Sequence, residues 1–284
     1  MNNRLTPLSD TVGSEVHGVD LSEPLDDDTF AAIRTAFHDR GVLLFRDQHL
    51  SEEQQIAFSR RFGELEIHIA KQYLLEDYPE IVVLSNKMDK GKPLGIEDAG
   101  RYWHSDLSYL GKPSLGSLLY AHEVPPPEAG GNTPYAGMYA AYDTLEDTLK
   151  KRLTGLNAIH SYEQRWHLDA KRGMNRAQLD ESDREKLPEV VHPVIRAHPI
   201  TGRLALYVNE GFTVRIDGLP EDESAALLEE LFAHSTQERF RYTHEWRAHD
   251  LIMWDNACVI HSASWYDPGY IRHMHRTTIA GPDT

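Results

Sequence analysis

Apolar residues recur at helical spacing through LDDDTFAAIRTAFHDRG, led by acids and closed by Gly41, which predicts a capped helix. The run VLLFRD that follows is continuously apolar and short, so it predicts a buried strand. Helical spacing returns in LSEEQQIAFSRRFGE, where Ser51 and Gln54 form a capping-box signature. EIVVLSN predicts another strand. From residue 101 onward short strand patterns dominate: SLLYAHEV, ALYVNEGF, RFRYTHEW and DLIMWDNACVIHS, separated by turn signals such as PPPEAGGN and HPITGR. Two helical patterns interrupt them, AYDTLEDTLKKRLTGL and, after Pro220, EDESAALLEELFAHS. Numerous short strands with accompanying helices predict a mainly β protein with helices, built on a β-sandwich or jelly-roll core. The polar stretch 162–188 has no convincing apolar period, and a long loop of that kind inside a compact domain points to function or disorder.

Composition narrows the partners. At 284 residues, with 40% hydrophobic and 26% charged residues, the chain suits one large soluble domain or two small ones. A formal charge of −16 and the absence of a Lys/Arg run disfavour nucleic acid as a partner. No apolar run approaches a membrane span, and no leader pattern is visible, so no membrane association is expected. The single cysteine, Cys258, excludes an internal disulfide framework and suggests a reducing, cytoplasmic setting.

The stretch RYWHSDLSY carries the first candidate chemistry. On a strand, residues i and i+2 share a face, so His104 and Asp106 are expected to point the same way. Such a pair can hydrogen-bond or hold a metal. With 16 His in the chain, about one His-x-Asp triplet is expected by chance, and two occur: His104–Asp106 and His167–Asp169. The motif alone therefore decides nothing. The first lies on a strand-like run, where a preorganised site belongs, and the second in the polar stretch, as a solvated pair. The segment WDNACVIHSASWYDPGYIRHMHRTTIAG reads as strand, turn and strand, with His261 ending the first and Arg272 and Arg276 on the second. Two histidines and a carboxylate match the facial triad of a non-haem Fe(II) oxygenase, although a zinc hydrolase uses similar donors. His122, His192, His198, His273 and His275 read as structural or surface residues, and Cys258, Trp103 and Trp254 as core.

Taken in order, GSEVHGVDLSEPL, VLLFRDQHLSEEQQIAFSRRFGELEIH, WHSDLSY, GGNTPY, HPVIRAHPITGRLALYVNEGFTVRI and the C-terminal segment resemble the TauD/TfdA family of Fe(II)- and 2-oxoglutarate-dependent dioxygenases over nearly the whole length. The nearest likeness is to its taurine-dioxygenase branch. The resemblance implies a single domain, 1–284, with a double-stranded β-helix (jelly-roll, cupin-like) core, helical decoration and a lid at about 162–188. It implies Fe(II), 2-oxoglutarate and O2 as cofactors and cosubstrates. His104, Asp106 and His261 match the iron ligands, and hence the catalytic centre. Thr133 and Arg272 match residues that bind 2-oxoglutarate, the arginine gripping its distal carboxylate. Arg276, His68, Leu107 and Phe212 match positions around an acidic substrate. Lys71 stands where the branch has a tyrosine that helps bind the substrate's amine, so an ammonium substrate such as taurine is disfavoured. The implied reaction is hydroxylation of an unactivated C–H bond of a small sulfonate, sulfate or carboxylate, with release of succinate and CO2. Asp106 argues for hydroxylation over halogenation, since halogenating relatives carry a small residue there. Desaturation or cyclisation in natural-product assembly is the alternative outcome, and a non-catalytic metabolite sensor the alternative class. A homo-oligomer, dimer or tetramer, is also implied.

Overall fold

In the computed structural model, residues 4–68, 70–97, 100–171 and 186–282 are described. Local chemistry places the first elements where the pattern predicts them. The Asp26 side chain accepts the Thr29 N–H at 2.8 Å and opens the helix Asp27–Arg40. Gly41 closes it in the left-handed region, at φ 72°, and its N–H donates to the Phe37 carbonyl. Ser51 and Gln54 exchange both capping-box bonds at the start of helix Glu52–Arg60.

An eight-stranded sheet carries the architecture. Its strands run, edge to edge, Leu5–Pro7, Ser14–Val16, Val42–Phe45, Leu251–Asp255, Gly116–Glu123, His273–Ile279, Tyr78–Ser85 and Leu74–Leu75. Strand alternation sorts their side chains between two cores. Leu43, Phe45, Leu118, Tyr120, Leu251 and Met253 pack under the two N-terminal helices, against Phe30, Ile33, Phe37 and Phe58. Val42, Leu44, Leu119, Ala121, Ile252 and Trp254 point the other way. They meet a second layer containing the sheet Arg241–His244, Thr133–Gly137, Val259–His261, together with the helix Glu221–Ser235. A sheet of Val190–Pro193, Asn157–His160 and Thr213–Ile216 and the hairpin Ile195–Ala197/Leu204–Leu206 complete that side. The protein is thus mainly β, with helices outside. No helix among the described residues is long and apolar enough to cross a membrane.

Three expectations change. AYDTLEDTLKKRLTGL forms two helices, Met138–Asp143 and Asp147–Leu153. Thr144 ends the first by turning its hydroxyl back onto the Ala140 carbonyl, and Leu145 is buried instead of continuing the helix. Of ALYVNEGF only the first two residues belong to a strand, Leu204–Leu206, because the Asn209 side chain captures the Phe212 N–H at 2.9 Å and makes a turn. The polar stretch expected as a lid contains a helix, Gln164–Lys171, which also carries His167; residues 172–185 lie outside the described residues.

Candidate active site

His261 ends the strand Val259–His261, which pairs with Thr133–Gly137 and so sets His261 opposite Tyr135. His104 docks on it through a two-bond bridge: its N–H donates to the His261 carbonyl at 2.9 Å, and the His261 N–H donates back at 2.8 Å. The two imidazoles lie with centroids 4.2 Å apart.

The strand expected through RYWHSDLSY stops there. Residues 106–109 form turns, with Leu107 at φ 57°. Side chains from elsewhere hold this turn in place of a ladder. Asp106 N–H donates to Asn256 Oδ1, Ser105 Oγ donates to the Asn256 carbonyl at 2.7 Å, and Ser114 Oγ donates to the Asp106 carbonyl. Ser117 Oγ donates to Asp106 Oδ2 at 2.7 Å. His104 and Asp106 do converge, as expected, but through these bonds and not through pleat alternation.

One ligand atom from each of His104, Asp106 and His261 falls within 4.8 Å of the others, and all three residues are buried. His104 Nδ1 lies 2.8 Å from the Tyr102 carbonyl, which can only accept, so Nδ1 carries the proton and Nε2 offers its lone pair. That Nε2 lies 3.6 Å from Asp106 Oδ1. Burial, then the neighbouring His104, pushes His261 well below the ordinary imidazole value, and its Nδ1 is buried without a hydrogen-bond partner. Burial raises the Asp106 carboxyl, but Arg276, at 3.3 Å, together with His104 and His261 outweighs it and holds Asp106 well below the usual carboxylate range. Two imidazoles and one carboxylate are a donor set that fits a divalent iron with open positions.

Gly100 makes room for this cluster. It sits at φ 68°, and a Cβ there would lie 2.4 Å from His104 Cε1 and 2.9 Å from Nε2. Gly100→Ala is therefore expected to displace the imidazole and weaken Fe(II) binding roughly tenfold or more, the scale on which supporting residues act. An anaerobic Fe(II) titration checks this, and unchanged affinity would remove His104 from the ligand set.

Two adjoining cavities open from the cluster. The first is lined by His104, His261, Thr133, Tyr135, Tyr266 and Arg272, among others. Thr133 Oγ1 accepts from Trp246 Nε1 at 2.9 Å, so its own hydroxyl proton remains to be donated. Burial lowers Arg272 to about 10, and no described carboxylate lies in salt-bridge range of it. A buried guanidinium of that kind favours an anion. The second cavity joins His104 and Asp106 to His68, Leu107, Phe212 and Arg276, and adds Tyr102, Tyr109, Tyr162 and Arg165. Its rings pack on one another, Tyr109 against Phe212 at 4.7 Å and against Tyr162 at 4.6 Å. His68 Nδ1 accepts the Ala70 N–H, leaving Nε2–H as a donor; burial, then Arg276, lowers its pKa to about 4, so it is neutral.

Nine of the ten residues singled out in the sequence thus gather around two cavities. Lys71 does not. It is exposed, in the short 3-10 turn Lys71–Tyr73, and lines neither cavity. The argument against an ammonium substrate that rested on Lys71 falls with it. Conversely, Tyr109, Tyr162 and Arg165 were not singled out in the sequence. Arg165 sits on the unforeseen helix Gln164–Lys171, with its guanidinium 4.8 Å over the Tyr162 ring.

Comparison with known proteins identifies the family. The family model described as "Taurine catabolism dioxygenase TauD, TfdA family" matches residues 4–278. The chain is 35% identical to an alpha-ketoglutarate-dependent 2,4-dichlorophenoxyacetate dioxygenase of Cupriavidus pinatubonensis over 282 residues, 96% of each protein. It is 35% identical to an (S)-phenoxypropionate/alpha-ketoglutarate-dioxygenase of Sphingobium herbicidovorans, over 98% of this chain and 94% of that protein. Among solved structures, AAD-2 in complex with Mn(II) and N-oxalylglycine superposes with a TM-score of 0.84 at 32% identity, covering 98% of both chains.

Proposed function

Since this chain belongs to the TauD/TfdA family and is an Fe(II)- and 2-oxoglutarate-dependent dioxygenase, we propose that its substrate is a small aromatic carboxylic acid of the aryloxyalkanoate kind, hydroxylated beside the acid group. The observation that carries this reading is the ring-lined cavity running from His104 and Asp106 to Tyr109, Tyr162 and Phe212. The names of the two relatives point to the same class.

In this reading His104, Asp106 and His261 hold the iron. When bound, iron activates O2 and couples oxidation of 2-oxoglutarate to succinate and CO2 with oxidation of the substrate C–H bond. The rest falls to the chain. Arg272 grips the distal carboxylate of 2-oxoglutarate through a planar fork suited to two parallel bonds, and Thr133 donates its hydroxyl proton. Arg276 directs Nη1 at Asp106 and lines the second cavity, so its guanidinium is the donor for the substrate's acid. His68 Nε2–H is the second donor. Tyr109, Tyr162 and Phe212 clasp the aromatic ring and keep water from the reacting carbon. We read 1–284 as one domain with a double-stranded β-helix core, which the two opposed layers and the match over 4–278 support. The buried free thiol of Cys258 supports a reducing, cytoplasmic setting.

The test is succinate release across phenoxyacetates, phenylacetate, taurine, isethionate and alkyl sulfates. Aryloxy acids are expected to give the largest kcat/KM. Phe212→Ala is expected to reduce it for them by about 1–3 kcal/mol, the scale of one aromatic side chain's burial, while changing turnover of isethionate little. Preference for taurine over every aryl acid would overturn the assignment.

A further inference from the structure

The face of the large sheet that lies under helix Glu52–Arg60 holds a second cluster of metal-type donors. His275 lies on the strand His273–Ile279, adjacent in sequence to Arg276 but directed by strand alternation to the opposite side. His122 comes from the neighbouring strand Gly116–Glu123. The pairing between these strands steps from His273↔Glu123 to Met274↔Ala121, so His122 is the extra residue of a bulge. Bulges re-aim side chains, and here the His122 ring comes to 4.1 Å from that of His275. Glu52, in the first turn of the helix, completes the group, with Oε1 3.7 Å from His275 Nδ1.

Convergence, unsatisfied nitrogens and access from solvent coincide in this cluster. One ligand atom from each of the three residues lies within 4.8 Å of the others. His275 Nδ1 and His122 Nε2 are both buried and without a hydrogen-bond partner among the described residues, and His275 as a whole is only 4% exposed. Leaving two such nitrogens unsatisfied is unfavourable unless something else ligates them. The Glu52 side chain is 32% exposed, so the group is open to solvent on that side. Another buried cluster with metal-type donors among the described residues, His38, His198 and Asp255, differs in its hydrogen bonding. There Asp255 Oδ2 already lies at hydrogen-bond distance from both rings, at 2.7 and 2.8 Å.

We propose that Glu52, His122 and His275 form a second metal site, for Zn2+, distinct from the iron site on the other side of the same strand. Two imidazoles and a carboxylate with one position left to water make a four-coordinate zinc set. The imidazoles are in the form that ligates: burial first, and then neighbouring histidines, lower His275 to about 3, and burial lowers His122 as well. Zinc here ties the start of a helix to two central strands and bears on stability, not on the reaction.

Equilibrium dialysis of the chelator-treated full chain against Zn2+ tests this, because the iron triad also takes zinc and serves as an internal reference. Wild type is expected to take up two equivalents and His122→Ala one. In His104→Ala, where only the second site is intact, added Zn2+ is expected to raise Tm, and His104→Ala/His122→Ala is expected to lose that rise. Glu52→Gln leaves the sheet untouched and is expected to weaken the second equivalent roughly tenfold or more. Equal uptake by wild type and His122→Ala, or an unchanged second equivalent in Glu52→Gln, overturns the proposal.

Discussion

Asp106→Asn is expected to lower turnover by more than about 100-fold while leaving the fold in place. Residues that merely orient metal ligands already cost about 10–100-fold when removed, and this change removes a ligand's charge. Asparagine is the informative replacement because Asp106 has two further ties: Ser117 Oγ donates to it at 2.7 Å, and Arg276 approaches it at 3.3 Å. An amide keeps the shape and the bond from Ser117. Either replacement leaves the Arg276 guanidinium without its anion, which typically costs about 3–5 kcal/mol, and alanine adds to this the loss of the bond from Ser117 and of the side-chain volume. The matched control is His167→Ala, in the chain's other His-x-Asp triplet, where the histidine is exposed on a helix. Fe(II) affinity, kcat and Tm are measured on both variants. Equal loss of iron in the two, or wild-type turnover by Asp106→Asn, would show that the wrong triplet had been chosen.

Arg272→Gln should act on the cosubstrate alone. Arg272 is buried deeply enough to lower its pKa to about 10, and no described carboxylate neutralises it. Truncating one partner of a desolvated charge pair costs ~2–5 kcal/mol, so KM for 2-oxoglutarate should rise roughly 30- to several-thousand-fold. KM for the acid substrate, measured at saturating 2-oxoglutarate, should move by less than about threefold, as expected for a residue in the other cavity. Equal damage to both constants would sink the division of labour between Arg272 and Arg276.

What could be read from the chain before its structure follows the range of the interactions involved. The capping box of Ser51 and Gln54, the stop at Gly41 and the alternation of VLLF are local, and each stands where its pattern put it. The site is another matter. His104, Asp106 and His261 could be picked out by residue type and order, but the device that gathers them could not. It is a turn tied by Asn256, Ser114 and Ser117, and long-range side-chain bonds leave no period in a sequence. Arg165 was missed because the helix that bears it lies in a stretch with few apolar residues, where helical spacing has little to act on. Lys71 went astray for the opposite reason. Its place rests on a count of three residues from His68, but the His68 ring takes the Ala70 N–H and Lys71 emerges into solvent. Counting along a chain locates a side chain only while the backbone stays regular.

The wall between the two cavities is thin, and Ile96, His104 and Arg276 line both. Arg276 has a limited set of staggered conformers, and each presents one geometry to both sides. A molecule that fixes this side chain from one cavity selects what the other cavity offers. The two binding free energies are therefore not independent: if the acid substrate tightens 2-oxoglutarate by some factor, 2-oxoglutarate tightens the acid by the same factor. Any coupling between the two unlike ligands within this single chain would run through the shared arginine.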